Sequence, residues 1–399
     1  MRLSHALPLA ALVAACARGQ AATSLGHVTV DTVNGVPRTI TDLPVGWVDT
    51  NGWKLVEVAR IVGGTEAPGD LIQPQSVALD ATGRIYVSDA NPAVIKVYAP
   101  DGTFLRTIGR EGAGPGEFNV GFIAIRGDHL YLHDPRLSRT SLFDTSGVFV
   151  RSWPSFCCYW TSLEVDGEGN VGVPGQPPHT AQQGERNPYQ RTVRWYRPDS
   201  TVADSSLVPA GPEVKYWVVK VGTKMQMSTS IPWMPDAEFA FLPDHRMLYG
   251  FSDRYELAVT THDGADTLAL FGRTWAPAAI PDVMRKAEVE RRINNTKGSV
   301  WDERLVRNAF HLSDIPTTAP AYDWLGVDGA GNIWVRQPVP TDSTRSLFDI
   351  YDPSYRWLGQ VAGAKVLRSW GIVLGGDRVI GYGEDEEGNP LVGVYAIRR

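Results

Sequence analysis

Cysteine is scarce in this chain: 399 residues contain three, Cys16, Cys157 and Cys158, the last two adjacent. No disulfide framework can hold the fold, so its core has to be stabilised by burial alone. Basic residues are not in excess either, with 38 Lys and Arg against 44 Asp and Glu and a net charge of −6. Affinity for a polyphosphate comes mostly from cations that neutralise it, so the composition argues against nucleic acid as a partner. Beyond the N-terminus, no apolar run approaches the length needed to cross a bilayer as a helix. There is no His-Glu-x-x-His run and no Gly-x-Ser-x-Gly nucleophile elbow. His133, His179, His245 and His311 are scattered rather than set at metal-ligand spacing. The glycine-rich residues 109–116 lack the Gly-Lys-Ser/Thr ending of a phosphate loop and recur as residues 63–69, which makes them a repeated connection.

What the chain does have is apolar and aromatic material. Hydrophobic residues make up 43% and Trp alone numbers thirteen, enough for one large β domain. At the N-terminus Arg2 precedes a short apolar run, residues 3–15, that reads as a signal peptide. Its ending, Val13-Ala14-Ala15-Cys16, resembles a bacterial lipobox. That resemblance implies diacylation of Cys16, a membrane partner through the lipid anchor, and a place in the bacterial cell envelope, at the periplasmic face of the outer membrane or the cell surface. The alternative is ordinary cleavage near Ala21, with Cys16 discarded. Residues 17–53 then read as a linker.

One unit recurs after it: apolar strand, Gly turn, strand, loop, strand, Asp/Gly turn, strand. The first copy runs Ser76-Val77-Ala78-Leu79-Asp80, a turn at Gly83, Ile85-Tyr86-Val87-Ser88-Asp89, Ile95-Lys96-Val97-Tyr98, the turn Asp101-Gly102 and Phe104 onward. Ala78 to Ala124 is an offset of 46 residues, as is Gly63 to Gly109. Weaker copies start near Leu163 and Phe239, a clear one at Trp324, and a last near Ile372. That last unit lacks its fourth strand, while an orphan strand lies at residues 54–61. Closing a ring removes the unpaired edge, so the pattern predicts an all-β, six-bladed β-propeller over 54–399, stitched by its N-terminal strand. The motif Val-Ala-x-Asp-x-x-Gly-x-Ile-Tyr-Val-x-Asp, followed by a Tyr-x-x-Asp-Gly turn, resembles an NHL-repeat propeller. The whole chain is similar to bacterial six-bladed propeller lipoproteins of unassigned function. The third and fourth units depart from the motif by losing part of Asp-x-x-Gly.

In such a blade the turns after strands one and three share one face and the loops after strands two and four share the other. Nearly all surplus sequence (155–161, 174–191, 209–236 and 274–321) falls in the second class, so one face is plain and the other crowned. Loops gathered on a rigid scaffold are where binding usually resides. The longest insertion predicts a helix opening with Pro281 at its first position and a second helix from Ser299, with Asp302 completing a capping-box spacing; together they make a small helical insertion over about 280–312.

Several residues are candidates for function. Cys157 and Cys158 can close only a strained eight-membered ring; a vicinal disulfide, two thiols, and a metal or redox pair are the readings. Tyr159, Trp160, Tyr216, Trp217 and Trp233 are aromatic anchors for a ligand-binding face. Asp89 and Asp134 end second strands and Arg336 takes the matching place in the fifth unit. They either bond local backbone or form a polar ring that reads a ligand. Glu164, Glu238 and Asp323 stand at or near the start of inner strands, where propeller lactonases and hydrolases like them hold a divalent cation with oxygen ligands; solvated channel lining is the plainer reading. The first function expected is binding of a protein, glycan or small ligand by the crowned face. The second is a metal-dependent lactonase-like hydrolase or lyase at the channel mouth.

Overall fold

A computed structural model describes the chain except residues 1–25, 48–51, 65–66, 157–162, 176–190, 213–214, 222–224, 298–300, 342–344 and 368–370. The chain is a six-bladed β-propeller. Blade 1 comprises Pro74–Leu79, Ile85–Ala90, Ala93–Tyr98 and Phe104–Ile108, paired in sequence order and antiparallel throughout. Blade 2 (Phe122–Arg126 to Phe149–Pro154), blade 3 (Glu164–Val165 to Val202–Leu207), blade 4 (Ala237–Phe241 to Thr267–Arg273) and blade 5 (Trp324–Val327 to Trp357–Ala364) repeat the order.

The Asp-x-x-Gly signature has a local cause. Asp80 Oδ1 accepts from the backbone N–H of Thr82 and of Arg84, each at 2.9 Å, and this shapes the turn between strands one and two. The turn brings Gly83 to φ +81°, left-handed backbone that costs a residue with a Cβ. Blade 4 lost the motif, and His245 fills the glycine's place at φ +68°.

Blade 6 closes the ring as the orphan strand predicts. Val373–Gly375, Arg378–Glu384 and Pro390–Arg398 are completed by Lys54–Val62, whose register runs from Lys54 opposite Arg398 to Val62 opposite Leu391. The strand ahead of blade 1 and the last strand thus share one sheet, which closes the ring.

Ahead of that strand the structure differs from the expected linker. Val28–Val33 and Val36–Thr41 form a hairpin whose second strand pairs in parallel with Thr267–Arg273, extending blade 4 to six strands. The chain then crosses to blade 5, where the N–H groups of Val45 and Gly46 donate to the carbonyls of Trp357 and Leu358. Trp47 donates from Nε1 to the carbonyl of Gln360 at 3.1 Å and stacks on Trp53 at 5.4 Å. This stretch is a belt around blades 4, 5 and 6. Alternating Val and Thr is the only hint of it in the sequence, because a strand that extends an outer edge needs little apolar pattern.

The two long insertions of the crown make one unit. Tyr216–Val221 and Met225–Ser230 form a hairpin, and helices α1 (Asp282–Asn294) and α2 (Glu303–Ala309) pack beside it. They share a small core of Trp217, Val219, Ile293, Val306, Phe310 and Ile315. Both helices start later than the sequence suggests. Pro281 is the N-cap of α1, and Asp302 itself caps α2 by accepting from the N–H groups of Arg304 and Leu305; the expected cap, Ser299, lies outside the described residues. Among the described residues, no helix is long and apolar enough to cross a membrane.

Candidate functional site at the crowned mouth of the channel

Inner strands line the central channel, and their crowned ends surround a cavity of about 350 Å³ contributed by blades 3 to 6. Glu164, Glu238 and Asp323 all line it, beside Arg191 and Asp236. The charges are of two kinds. Arg191 pairs with Asp236 at 2.8 Å, and Arg336 pairs with Asp323 at 2.7 Å while donating to the carbonyl of Leu367 at 3.1 Å. The Glu164 and Glu238 side chains have no hydrogen-bond partner among the described residues. Both are half-buried, and the lining around them mixes Leu163, Phe239, Trp324 and Ile372 with charged groups.

Electrostatics follow from that setting. Burial pushes the Glu238 carboxyl up to about 8, with Asp236 and Asp323 adding to the shift and Arg191 and Arg336 opposing it. Burial alone pushes Glu164 up to about 7. Near neutral pH both carboxyls are thus poised between a neutral hydrogen-bond donor and an anion that needs a partner.

The candidates separate when placed. The three acids share one cavity, but Asp323 is held by Arg336. Among the described residues, no three acid or histidine side chains approach closely enough to hold a metal ion. Asp89 is fully buried and turned inward: its oxygens accept from the N–H groups of Ile72 and Gln73 and pair with Lys96 at 2.7 Å. Asp134 likewise accepts from Asn119 and Arg136. Both fix connections between blades rather than form a polar ring, because a buried carboxylate next to free backbone donors takes them first. Arg336 is 7% exposed and acts by holding Asp323 at the mouth.

Trp217 is not an exposed anchor. It is 2% exposed, stacks on Phe310 at 4.5 Å and donates from Nε1 to Asp314 at 3.1 Å, so it belongs to the core of the insertion. Trp233 packs at the edge of the same core. Tyr216 is half-buried at the start of the hairpin. Cys16, Cys157, Cys158, Tyr159 and Trp160 lie outside the described residues. Sequence reasoning passed over Arg191 and Asp236. Asp236 directly precedes inner strand Ala237–Phe241 just as Asp323 precedes Trp324–Val327, and that shared place was the available signal.

No family model matches the chain, and no curated protein does. Solved structures do match. A Bacteroides fragilis protein described as exported is 11% identical, with 90% of this chain and 99% of that one covered at a TM-score of 0.48. A member of the DUF4221 family from Bacteroides vulgatus is 10% identical, covering 88% and 100% at 0.44. Virginiamycin B lyase from Staphylococcus aureus is 8% identical, covering 86% and 99% at 0.41. The likeness is one of fold.

Proposed function

We propose that this chain is an extracytoplasmic, lipid-anchored propeller that binds a small ligand carrying a cationic nitrogen at the crowned mouth of its channel. One observation carries the reading: among the described residues, the Glu164 and Glu238 side chains stand without partners in a cavity whose other charges are matched. A half-buried carboxylate that no protein group meets is stabilised when a cation or several donors reach it, so the site is completed by a positively charged group. The volume, about 350 Å³, is at the small end of ligand pockets. The lipobox-like ending at Cys16 supports the compartment. A metal-dependent hydrolase would need a set of oxygen ligands, and the ion pair of Asp323 with Arg336 takes one candidate out of it.

Thermal shift and calorimetry with a panel of small probes test this directly. A diamine or a guanidinium compound is expected to raise Tm and bind the wild-type chain, and to lose that effect in the double variant E164Q/E238Q, since whatever binds only the native state must stabilise it. Stabilisation by a neutral sugar, a dicarboxylate or calcium, with none from the cations, would overturn the reading. For the anchor, Cys16→Ser is expected to release the chain from the membrane fraction; unchanged fractionation would overturn that part alone.

A further inference from the structure

The ring is not equally tight all the way round. A contiguous cluster of buried apolar side chains from both sheets fills the seam between blades 1 and 2, with Tyr86 and Ile95 on one side and Leu132 and Phe143 on the other. Clusters of the same kind join blades 2 and 3, 4 and 5, 5 and 6, and 6 and 1. Among the described residues none joins blades 3 and 4.

What spans that seam is smaller, although Val193 and Trp195 of blade 3 and Met247 of blade 4 are buried. Trp195 of blade 3 meets Phe241 of blade 4 edge-on at 4.9 Å, with the His262 ring 5.2 Å from Trp195. On the plain side His262 Nε2 lies 3.4 Å from Asp204, and His245 Nδ1 lies 3.5 Å from Asp166. On the crowned side Arg191 pairs with Asp236 and donates to the carbonyl of Ala237 at 2.9 Å. Among the described residues one backbone bond crosses, from the Leu207 N–H to the Asp263 carbonyl at 3.0 Å.

Asp204 and Asp236 are about half exposed, at 55% and 46%, so water competes for these pairs. Exposed pairs contribute little, whereas each apolar side chain missing from a seam forgoes its full burial. Space reaches the seam from both directions. The channel void extends to Trp195, Phe241 and His245, and a second cavity of about 220 Å³ lies between Asp204, His245 and His262. Blades 4, 5 and 6, by contrast, are bound by the N-terminal belt.

We propose that the ring opens at the seam between blades 3 and 4, and that a ligand held between Glu164 and Glu238 draws it shut. Those carboxyls stand on opposite sides of this seam, one on each inner strand. Opening there separates them; a cation between them favours the closed state and stabilises it by mass action. The closing step rests on the proposed ligand class, and the opening does not.

Amide hydrogen exchange on the full mature chain separates the two. Without ligand, peptides covering residues 202–208 and 262–266 are expected to exchange about tenfold faster than the outer strands of blades 1 and 2, 104–108 and 149–154. Equal rates would sink the opening. Filling the seam with the double variant D204L/H262L is expected to slow those peptides about tenfold and leave blades 1 and 2 unchanged; no slowing would show that the thin seam is not the cause. Saturating 1,4-diaminobutane is expected to slow the same peptides in the wild type and not in E164Q/E238Q. Binding without slowing would overturn the closure alone. Failure to bind would overturn the ligand class and the closure with it, while the comparison without ligand still decides the opening.

Discussion

Replacing Glu238 with Gln should make this protein more stable in mild alkali. The carboxyl ordinarily titrates near 4.5 and is pushed up to about 8 by burial. Raising a folded-state value above the unfolded one means that the native state holds its proton more tightly. The stability tied to that proton is complete below pH 4.5 and is lost progressively as pH rises from 4.5 through about 8. At about 1.4 kcal/mol per unit, the shift sets a ceiling of about 5 kcal/mol on the loss. Water in the channel screens part of it, which brings the expected figure to about 2–3 kcal/mol. Glutamine keeps the shape and never ionises. Urea unfolding should therefore give equal midpoints for wild type and E238Q at pH 4, and a higher midpoint for E238Q at pH 9, with m unchanged. Glu164 titrates in both proteins and cancels from the comparison. A difference of the same size at both pH values, or an E238Q less stable at pH 9, would refute the claim that burial without a partner sets this carboxyl.

Other consequences are as direct. Binding of a cationic probe should strengthen more than about tenfold from pH 6 to pH 7, because the bound cation needs both Glu238 and Glu164 ionised; calorimetry at the two pH values measures it, and flat affinity counts against the site. Trp217→Ala should cost the crown insertion about 4 kcal/mol and expose its helices to trypsin, while the main unfolding transition of the propeller holds its place. Asp89→Ala removes the acceptor of three backbone N–H groups and the carboxylate partner of the buried Lys96 ammonium, so unfolding by urea should show a loss of about 3–5 kcal/mol. Trp47→Ala loosens the belt; about 2–3 kcal/mol is expected, read as a lower midpoint and faster exchange in the outer strand of blade 5.

The two halves of the problem were legible to different degrees. Blade count and closure could be read because a propeller strand is a local object: alternating apolar residues, an Asp that folds its own turn, and a glycine where φ must be positive. Each of these acts within a few residues, so each leaves a mark of fixed spacing, and the unmatched strand at 54–61 marked the place of closure. The same locality explains where the reading went astray. Trp217 looks like a surface anchor from its neighbours alone, and only Phe310 and Asp314, nearly a hundred residues away, make it core. Residues 17–53 carry no strong pattern because their hairpin takes its partner from Thr267–Arg273.

By itself, then, the sequence determined the repeating sheet, its ring closure, the crowding of one face and the presence of acids on inner strands. Only the tertiary structure decided which acids are paired, that two have no side-chain partner among the described residues, and that one seam has no apolar cluster like the others among those residues. Backbone geometry is set by near neighbours, whereas the free energy of a buried charge or an apolar contact depends on what the fold brings beside it from elsewhere in the chain.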